Sequence, residues 1–586
     1  MLKILKYLQK QDLLIIILSI LLVAGQVGLD LTLPDYMSEI TTLVQTEGSL
    51  MSDILIAGGK MLLCALGSFA LAVIVGFFAA RLAAVFARRL RHGVFEKVGS
   101  FSMEEINGFS TASLITRSTN DITQVQTVIA MGLQVIVKAP IMAVWAIIKI
   151  SGKSWQWTAG TGVAVVCLLV LIAVLILVAL PRFRKIQTLT DNLNRVTREN
   201  LTGIRVVRAY NAEQYQEDKF YQANEDLTQN NLFANRAMAV MMPGMNIIMN
   251  GLTLFIYWVG AYLISGAGLM DRVGLFSDMV VFSSYAMQVV MAFTMLAVIF
   301  IMLPRASVSA KRINEVLDTS PKIIDGTVSC GKPGMEGIVE FKQVSFKYPD
   351  AADYVLKDIS FSTKKGETIA FIGSTGSGKS TLINLIPRFY DATEGEVLID
   401  GVNVKAYTSE ALHDKLGYVS QSAVMFTGTV ESNVSYGSTE RKAEKNAVQK
   451  AVNIAQGTEF VEKLKNRYQA NIAQGGVNLS GGQKQRLSIA RAVYRKPEIY
   501  IFDDSFSALD YKTDKLLRAA LKKDSSDITS FIVAQRIGTI KNADKIVVLD
   551  EGKAVGIGTH HELLKNCEVY KQIALSQLSE EELANE

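Results

Sequence analysis

Cysteine is scarce and scattered. Cys64, Cys167, Cys330 and Cys567 stand far apart with no C-x-x-C spacing, which argues against a disulfide framework or a cysteine-built metal site and leaves buried free thiols. Charge is thin as well: 20% of the residues are charged against 49% hydrophobic. A chain of 586 residues with that balance is too greasy for an ordinary soluble protein and too long for one domain. The net charge of +5 is modest and its basic residues gather in particular loops, so it traces membrane topology rather than a nucleic-acid footprint. No cleavage pattern follows a short apolar core at the N-terminus, so no removable signal peptide is expected. The segment Asp35–Asp53, expected to be a loop, carries the acids Asp35, Glu39, Glu47 and Asp53 and no Lys or Arg at all.

The grease lies before about Pro304. Six apolar stretches there, Leu13–Leu33, Ile54–Val85, Val128–Ile150, Trp157–Leu180, Met238–Ile264 and Phe276–Leu303, are long enough to cross a bilayer, which takes about 20 residues each. Arg88, Arg89, Arg91 and Lys97 follow the second stretch, and Arg182, Arg184 and Lys185 follow the fourth. Both basic loops are expected in the cytoplasm, and an even number of spans leaves both chain ends there. Met1–Gln11, with Lys3, Lys6 and Lys10 beside Leu and Ile, suits either a surface helix or a plain basic flank. The two inner loops are long and periodic (Leu189, Leu193, Val196, Ile204), so the spans are expected to run on as helices into the cytoplasm. Each pair should close with a short contact helix, at Glu104–Ser110 and Asn211–Glu217. Lys138 falls inside a span, where it can pair with a neighbouring helix or line a pathway. Lys60 and Lys149 lie near enough to span ends to snorkel. Met245, Met249, Met287 and Met291 either fill a core or offer a pliable surface to varied apolar ligands.

The second half turns on one run, Ile369–Thr381. An apolar stretch breaks into Gly373-Ser374-Thr375-Gly376-Ser377-Gly378-Lys379-Ser380-Thr381, which matches G-x-x-x-x-G-K-[ST] residue for residue. Such glycines let successive N–H groups face inward as an anion cradle at the start of a helix. Lys379 is expected to reach the β- and γ-phosphates of ATP, and the Ser380 hydroxyl to hold Mg2+. Ile499–Asp503 reads as a buried strand ending in an acid: Asp503 serves the magnesium and Asp504 faces the γ-phosphate. Tyr348, just after a strand pattern, can stack on adenine or simply close a strand. Leu479-Ser480-Gly481-Gly482-Gln483 is a second glycine turn opening a helix. One nucleotide does not need two cradles, so this one is expected to meet a nucleotide held by another subunit. The reading is an all-α membrane domain over 1–304, a linker over 305–335, and an α/β phosphate-loop domain over 336–586.

With GSTGSGKS (373–380), YVSQ (418–421), LSGGQ (479–483), IYIFDD (499–504) and SALD (507–510) in this order, the chain resembles an ABC transporter half-molecule of the bacterial multidrug exporter type. ENLTGIRVVRAY (199–210) also resembles the exporter pattern. The resemblance implies a six-helix transmembrane domain before an ABC nucleotide-binding domain. It implies two such domains closing head-to-tail on two ATPs, each between one phosphate loop and the other chain's Leu479–Gln483 motif. Tyr348 then stacks on adenine, Gln421 ligates magnesium, and Ser507, Ala508, Leu509 and Asp510 form the loop beside the dimer seam. Two positions depart from the family pattern. The catalytic Glu is Asp504 and the switch His is Gln535. An aspartate is one methylene short of the attacking water, and an amide cannot carry a proton. The expectation is a pocket that binds ATP and cuts it slowly, in a heterodimer with a partner half-transporter that carries Glu and His. Efflux of amphipathic small molecules leads. A lipid or peptide exporter subunit with the same engine, or a regulatory subunit with little transport, are the alternatives.

Overall fold

The computed structural model describes residues 3–578 apart from 47, 152–153, 269–270, 350, 438–443 and 525, with backbone alone at 133, 180, 184, 297–301 and 304. Glu47 and the Arg184 side chain therefore lie outside the described residues. The chain divides into two compact units, Met1–Gly99 with Thr111–Thr319, and Ser100–Ser110 with Ser320–Glu586.

The first unit is helical. Its long elements are α1 (Lys10–Gln45) and α2 (Met51–Gly99), then α5 (Ile122–Ser151), α6 (Trp155–Thr202), α8 (Glu213–Ala239), α9 (Met241–Gly266) and α10 (Asp271–Asp318). The shorter α4 (Thr111–Thr116) and α7 (Ile204–Ala209) lie between them, while α3 (Met103–Phe109), between α2 and α4 in the chain, falls in the second unit. Among the described residues six helical stretches are long and apolar enough to cross a membrane. At 1.5 Å per residue, the 49 residues of α2 make about 74 Å, more than twice the roughly 30 Å hydrocarbon core. The spans therefore continue as helix beyond any bilayer, as the periodic inner loops require. Pro34, Pro140 and Pro181 sit inside helices, which membrane bundles tolerate because neighbours re-satisfy the freed carbonyls. The unit's core runs through Val23, Val27, Met142, Trp157, Phe282 and Tyr285, all buried.

Three boundaries differ from expectation. Helix α1 runs to Gln45, which draws Asp35 and Glu39 out of the expected loop and into helix. The second contact helix is Ile204–Ala209, not Asn211–Glu217. Gly203, a poor helix former, breaks α6 there, Asn211 turns the chain at φ 51°, and Glu213 onward joins α8. Of the expected linker, 305–318 is the last part of α10. At the N-terminus Ile4–Tyr7 forms one 3-10 turn with Ile4 buried, and Asp12 pairs with Arg89.

The second unit is α/β. Strands β1 (Val339–Phe346), β2 (Leu356–Ser362), β4 (Glu394–Ile399) and β5 (Val402–Asn403) make an antiparallel sheet in the order β2-β1-β4-β5. The main sheet takes β3 (Thr368–Gly373), β6 (Leu416–Val419), β9 (Ile499–Asp503), β10 (Thr529–Val533), β11 (Lys545–Asp550) and β12 (Lys553–Gly558), ordered β12-β11-β3-β10-β9-β6. Only β12 runs antiparallel. Gly428–Thr429 (β7) and Asn471–Ile472 (β8) pair separately. Every residue of β9 is buried, the run expected of a parallel strand covered on both faces. Register decides where the site falls: Val533 lies opposite both Phe371 and Asp503, and Val419 opposite Phe502. The carboxyl ends of β3, β10, β9 and β6 therefore finish side by side, the edge where open α/β sheets hold ligands.

Candidate functional site

Four loops leave that edge and carry the expected residues together. After β3 the chain turns through Gly376 and Gly378 at φ 88° and 96° into the helix Lys379–Ile383. Gly378 has no substitute here, since a Cβ would lie 2.7 Å from Leu356 Cδ2 at a left-handed φ. The Lys379 ammonium folds back on its own loop and donates to the carbonyls of Gly373 (2.9 Å) and Ser374 (2.7 Å). Burial lowers its pKa, opposed by the Asp504 and Asp503 carboxylates. Ser380 Oγ donates to Asp503 Oδ1 at 2.8 Å. A hydroxyl and a carboxylate side by side beneath an anion cradle are the hard oxygen donors that suit magnesium with a nucleotide phosphate, so the residues fit both groups.

Asp504 follows β9 at φ 46°, a conformation that Asp adopts more readily than most side chains. Its Oδ2 accepts from Gln535 Nε2 at 2.9 Å and more loosely from Gln421 Nε2 at 3.5 Å. Burial raises the Asp504 carboxyl above its ordinary range, with the bonds from Gln421, Ser507 and Gln535 pulling the other way. Asp503 is raised by burial too, against its bond from Ser380. Tyr348 is half-buried, its hydroxyl 3.1 Å from Thr381 Oγ1, and its ring stands edge-on to Phe346 and Tyr390 at 5.0 and 5.3 Å. The ring is thus braced over the helix that the phosphate loop opens.

The Leu479–Gln483 motif lies apart from this cluster in sequence. Leu479 is buried, while Ser480 and Gly481 are exposed. Ser480 caps the helix Gly481–Tyr494 in a reciprocal box with Gln483, leaving a helix N-terminus open to an incoming anion. Ser507, Ala508 and Asp510 are exposed around buried Leu509. The Asp510 carboxyl is held low by the backbone N–H of Thr513.

Sequence reasoning did not single out the anchoring of α3, which belongs with the second unit. Asn107 Nδ2 donates to the Tyr390 hydroxyl at 3.1 Å, and Glu104 pairs with Lys322. Glu105 accepts from Ser102 N (2.8 Å) and Oγ (2.6 Å) and from Lys322 N (3.2 Å). Burial acts to raise its carboxyl, but those bonds win and hold it low. The S-x-x-E spacing of Ser102 and Glu105 was the readable signal. In the first unit Lys138 pairs with Asp30 at 3.0 Å and Lys149 with Asp35 at 2.6 Å. Met245 is buried, Met249 and Met287 are half-buried, and Met291 is exposed, so the four do not share one environment.

Residues 13–293 match the family model described as the ABC transporter transmembrane region, and 356–507 match the one described as ABC transporter. An uncharacterized ABC transporter ATP-binding protein of Mycobacterium tuberculosis is 42% identical over 490 residues, covering 83% of each chain. One from Bacillus subtilis is 38% identical over 499 residues, covering 84% of each. An ATP-dependent lipid A-core flippase of Pseudomonas fluorescens is 32% identical over 468 residues, covering 79% of this chain and 76% of its own. Among solved structures, a bacterial Atm1-family ABC exporter with ATP bound superposes with a TM-score of 0.80 over 97% of this chain and 99% of its own, at 23% identity.

Proposed function

Because the chain belongs to the ABC transporter family, a multi-pass membrane protein with its own ATP-binding domain, we propose that it is one half of a heterodimeric exporter whose own ATP pocket clasps more readily than it cuts. Its working direction is outward, it carries amphipathic small molecules, and both chain ends and the ATP unit face the cytoplasm. The observation that carries the weak-site reading is the Asp504–Gln535 bond of 2.9 Å. A short carboxylate, buried and tied to an amide, occupies the place where a longer base would orient water. Gln535 can still donate to a phosphate oxygen, but it holds no proton to give. In this reading Lys379 swings from its loop carbonyls to the β- and γ-phosphates. Ser380, Asp503 and Gln421 hold Mg2+, which when bound neutralises the phosphate charge. Tyr348 offers its ring to adenine. The exposed Ser480–Gly481 end serves the partner's nucleotide and completes a competent site there, and α3 passes the closure of the ATP units to the spans.

Co-purification with a candidate partner half-transporter, followed by ATPase assay of each chain alone and of the pair, tests this. Slow turnover alone and fast turnover together, stimulated by amphipathic compounds, is the expected result. Ordinary exporter rates from the isolated chain would favour a homodimer instead. Movement of a lipid by the same engine is the second reading, favoured by the likeness to lipid A-core flippases. Headgroup-labelled lipid in proteoliposomes separates it from small-molecule efflux.

A further inference from the structure

Four helices of the first unit bring polar groups together at Asp30. On α1, its carboxylate accepts from Lys138 Nζ of α5 at 3.0 Å and from Ser68 Oγ of α2. Its main-chain carbonyl accepts from Gln288 Nε2 of α10 at 3.5 Å. Gln288 Oε1 is buried with no donor among the described residues. A carboxylate has about four acceptor positions, and this one meets two side-chain donors, so the cluster carries acceptor capacity in excess. An orphaned buried carbonyl of this kind is costly to leave unmet, which is a reason to look for a ligand that supplies donors. The acceptors are fixed by neighbouring helices, whereas the one cation stands on a flexible four-carbon stem.

The surroundings suit an organic cation. Trp145, two turns along α5 from Lys138 and on the same face, lays its ring against Gly28, where a Cβ would come within 3.1 Å of Trp145 Cη2. Trp145 is 40% exposed and Met291, one turn from Gln288, is 42% exposed. Indole faces attract cations, and thioethers adapt to irregular apolar groups. The second pair on these helices is arranged differently: Asp35 is held by Lys149 and by the Tyr285 hydroxyl at 2.5 Å, with Tyr285 wholly buried. That pair ties α1, α5 and α10 together.

We propose that Asp30 and Gln288 form a recognition site for amphipathic monocations bearing N–H donors, and that Lys138 is a built-in competitor, displaced when such a cation binds. The site rests on the reading of this chain as an exporter of amphipathic molecules. In the resting protein the Lys138 ammonium satisfies the carboxylate and spares the membrane interior an unpaired charge. An arriving monocation takes over the carboxylate and leaves the Lys138 ammonium without its partner, a charge that its flexible stem must carry toward water, so the competitor lowers affinity.

The two charges then have opposite effects on binding, which a structural strut would not produce. Ethidium, an aromatic monocation with amino groups, and anilinonaphthalenesulfonate, an aromatic anion, are the probes. Their affinities for the detergent-purified full-length protein with its partner are read by fluorescence without ATP. Asp30→Asn is expected to weaken ethidium at least tenfold. Lys138→Met, with the competitor gone, is expected to tighten it about threefold or more. The double variant is expected to bind as weakly as Asp30→Asn, and its retained fold is checked by the thermal midpoint. Equal weakening by both single variants, or wild-type ethidium affinity in the double variant, would overturn the proposal in favour of a strut. Loss of the anion with Lys138→Met while ethidium is unmoved would overturn it in favour of an anion site. Because no turnover is needed, a protein that fails to export still returns one of these answers, and the export reading fails separately.

Discussion

Asp504→Glu is the sharpest test of the weak pocket. The wild-type carboxylate is 8% exposed and its Oδ2 accepts from Gln535 at 2.9 Å. A glutamate carries its oxygens about 1.5 Å further from the backbone, one carbon–carbon bond. Misplacing a reacting group by about 1 Å costs on the order of 10²-fold, within the 10²–10⁴ that a positioned base supplies altogether. Restoring the reach should raise turnover at this pocket by about 30- to 100-fold, or roughly 2–2.7 kcal/mol at 1.36 kcal/mol per tenfold. Full recovery is not expected, because Gln535 remains in place of a titratable switch. The backbone sets a second consequence: at φ 46° the longer side chain is less at ease than Asp, with a fold penalty of order 1 kcal/mol. The assay is phosphate release from the assembled pair, with the partner's catalytic carboxylate removed so that only this pocket turns over. If the wild-type pocket already runs at about 1 s⁻¹ or faster and the longer acid leaves it unchanged, the reasoning is wrong.

Lys379→Ala should weaken nucleotide binding at this chain's loop, read with a fluorescent ATP analogue, yet leave some turnover in the assembled pair; complete loss would argue against a division into weak and strong sites. Asp504→Asn should raise the thermal midpoint of the nucleotide-free protein near neutral pH by about 2–4 °C per kcal/mol gained. The sign follows from the raised carboxyl: the folded form binds the proton more tightly, so ionisation costs stability as pH rises from the ordinary value of 3.8 through the folded one. The advantage of the amide should therefore shrink as pH is lowered toward that value, and an unchanged advantage in acid would contradict it. Gly378→Ala, with its Cβ 2.7 Å from Leu356 Cδ2, should abolish ATP-analogue binding while leaving the helical unit intact by circular dichroism. Asn107→Ala with Tyr390→Phe should leave basal ATPase activity in place and reduce its stimulation by transported compounds, checked by the ratio of stimulated to basal rates.

The ATP machinery was legible because each of its parts is a local run: a phosphate loop, an acid-ended strand and a capped glycine turn all declare themselves within about ten residues. The spans were legible because a bilayer imposes length and apolarity on one continuous segment. What a single sequence hides is the partner across space. Nothing near Lys138 points to Asp30, which lies 108 positions away on another helix. Likewise the tie from Gln535 to Asp504 depends on Val533 lying opposite Asp503 in a parallel pair, a register that motif spacing does not encode. Helix ends were misplaced where polarity was a poor guide: Asp35 and Glu39 look like loop residues, yet α1 carries them to Gln45. The tip after α6 was set by Gly203, where α6 ends, and by Asn211, where the chain turns at φ 51°.

The membership of α3 in the second unit has a mechanical meaning. The backbone passes between the two units at Gly99–Ser100, at Ser110–Thr111 and at Thr319–Ser320. A body hung from one thread can spin about it at little cost, whereas a body held by three separate covalent strands transmits torque. A fragment cut to start at Ser320 would lose all three of those strands, and with them the Asn107 amide that caps the Tyr390 hydroxyl. Such a fragment could hold nucleotide and still have nothing left to pull on.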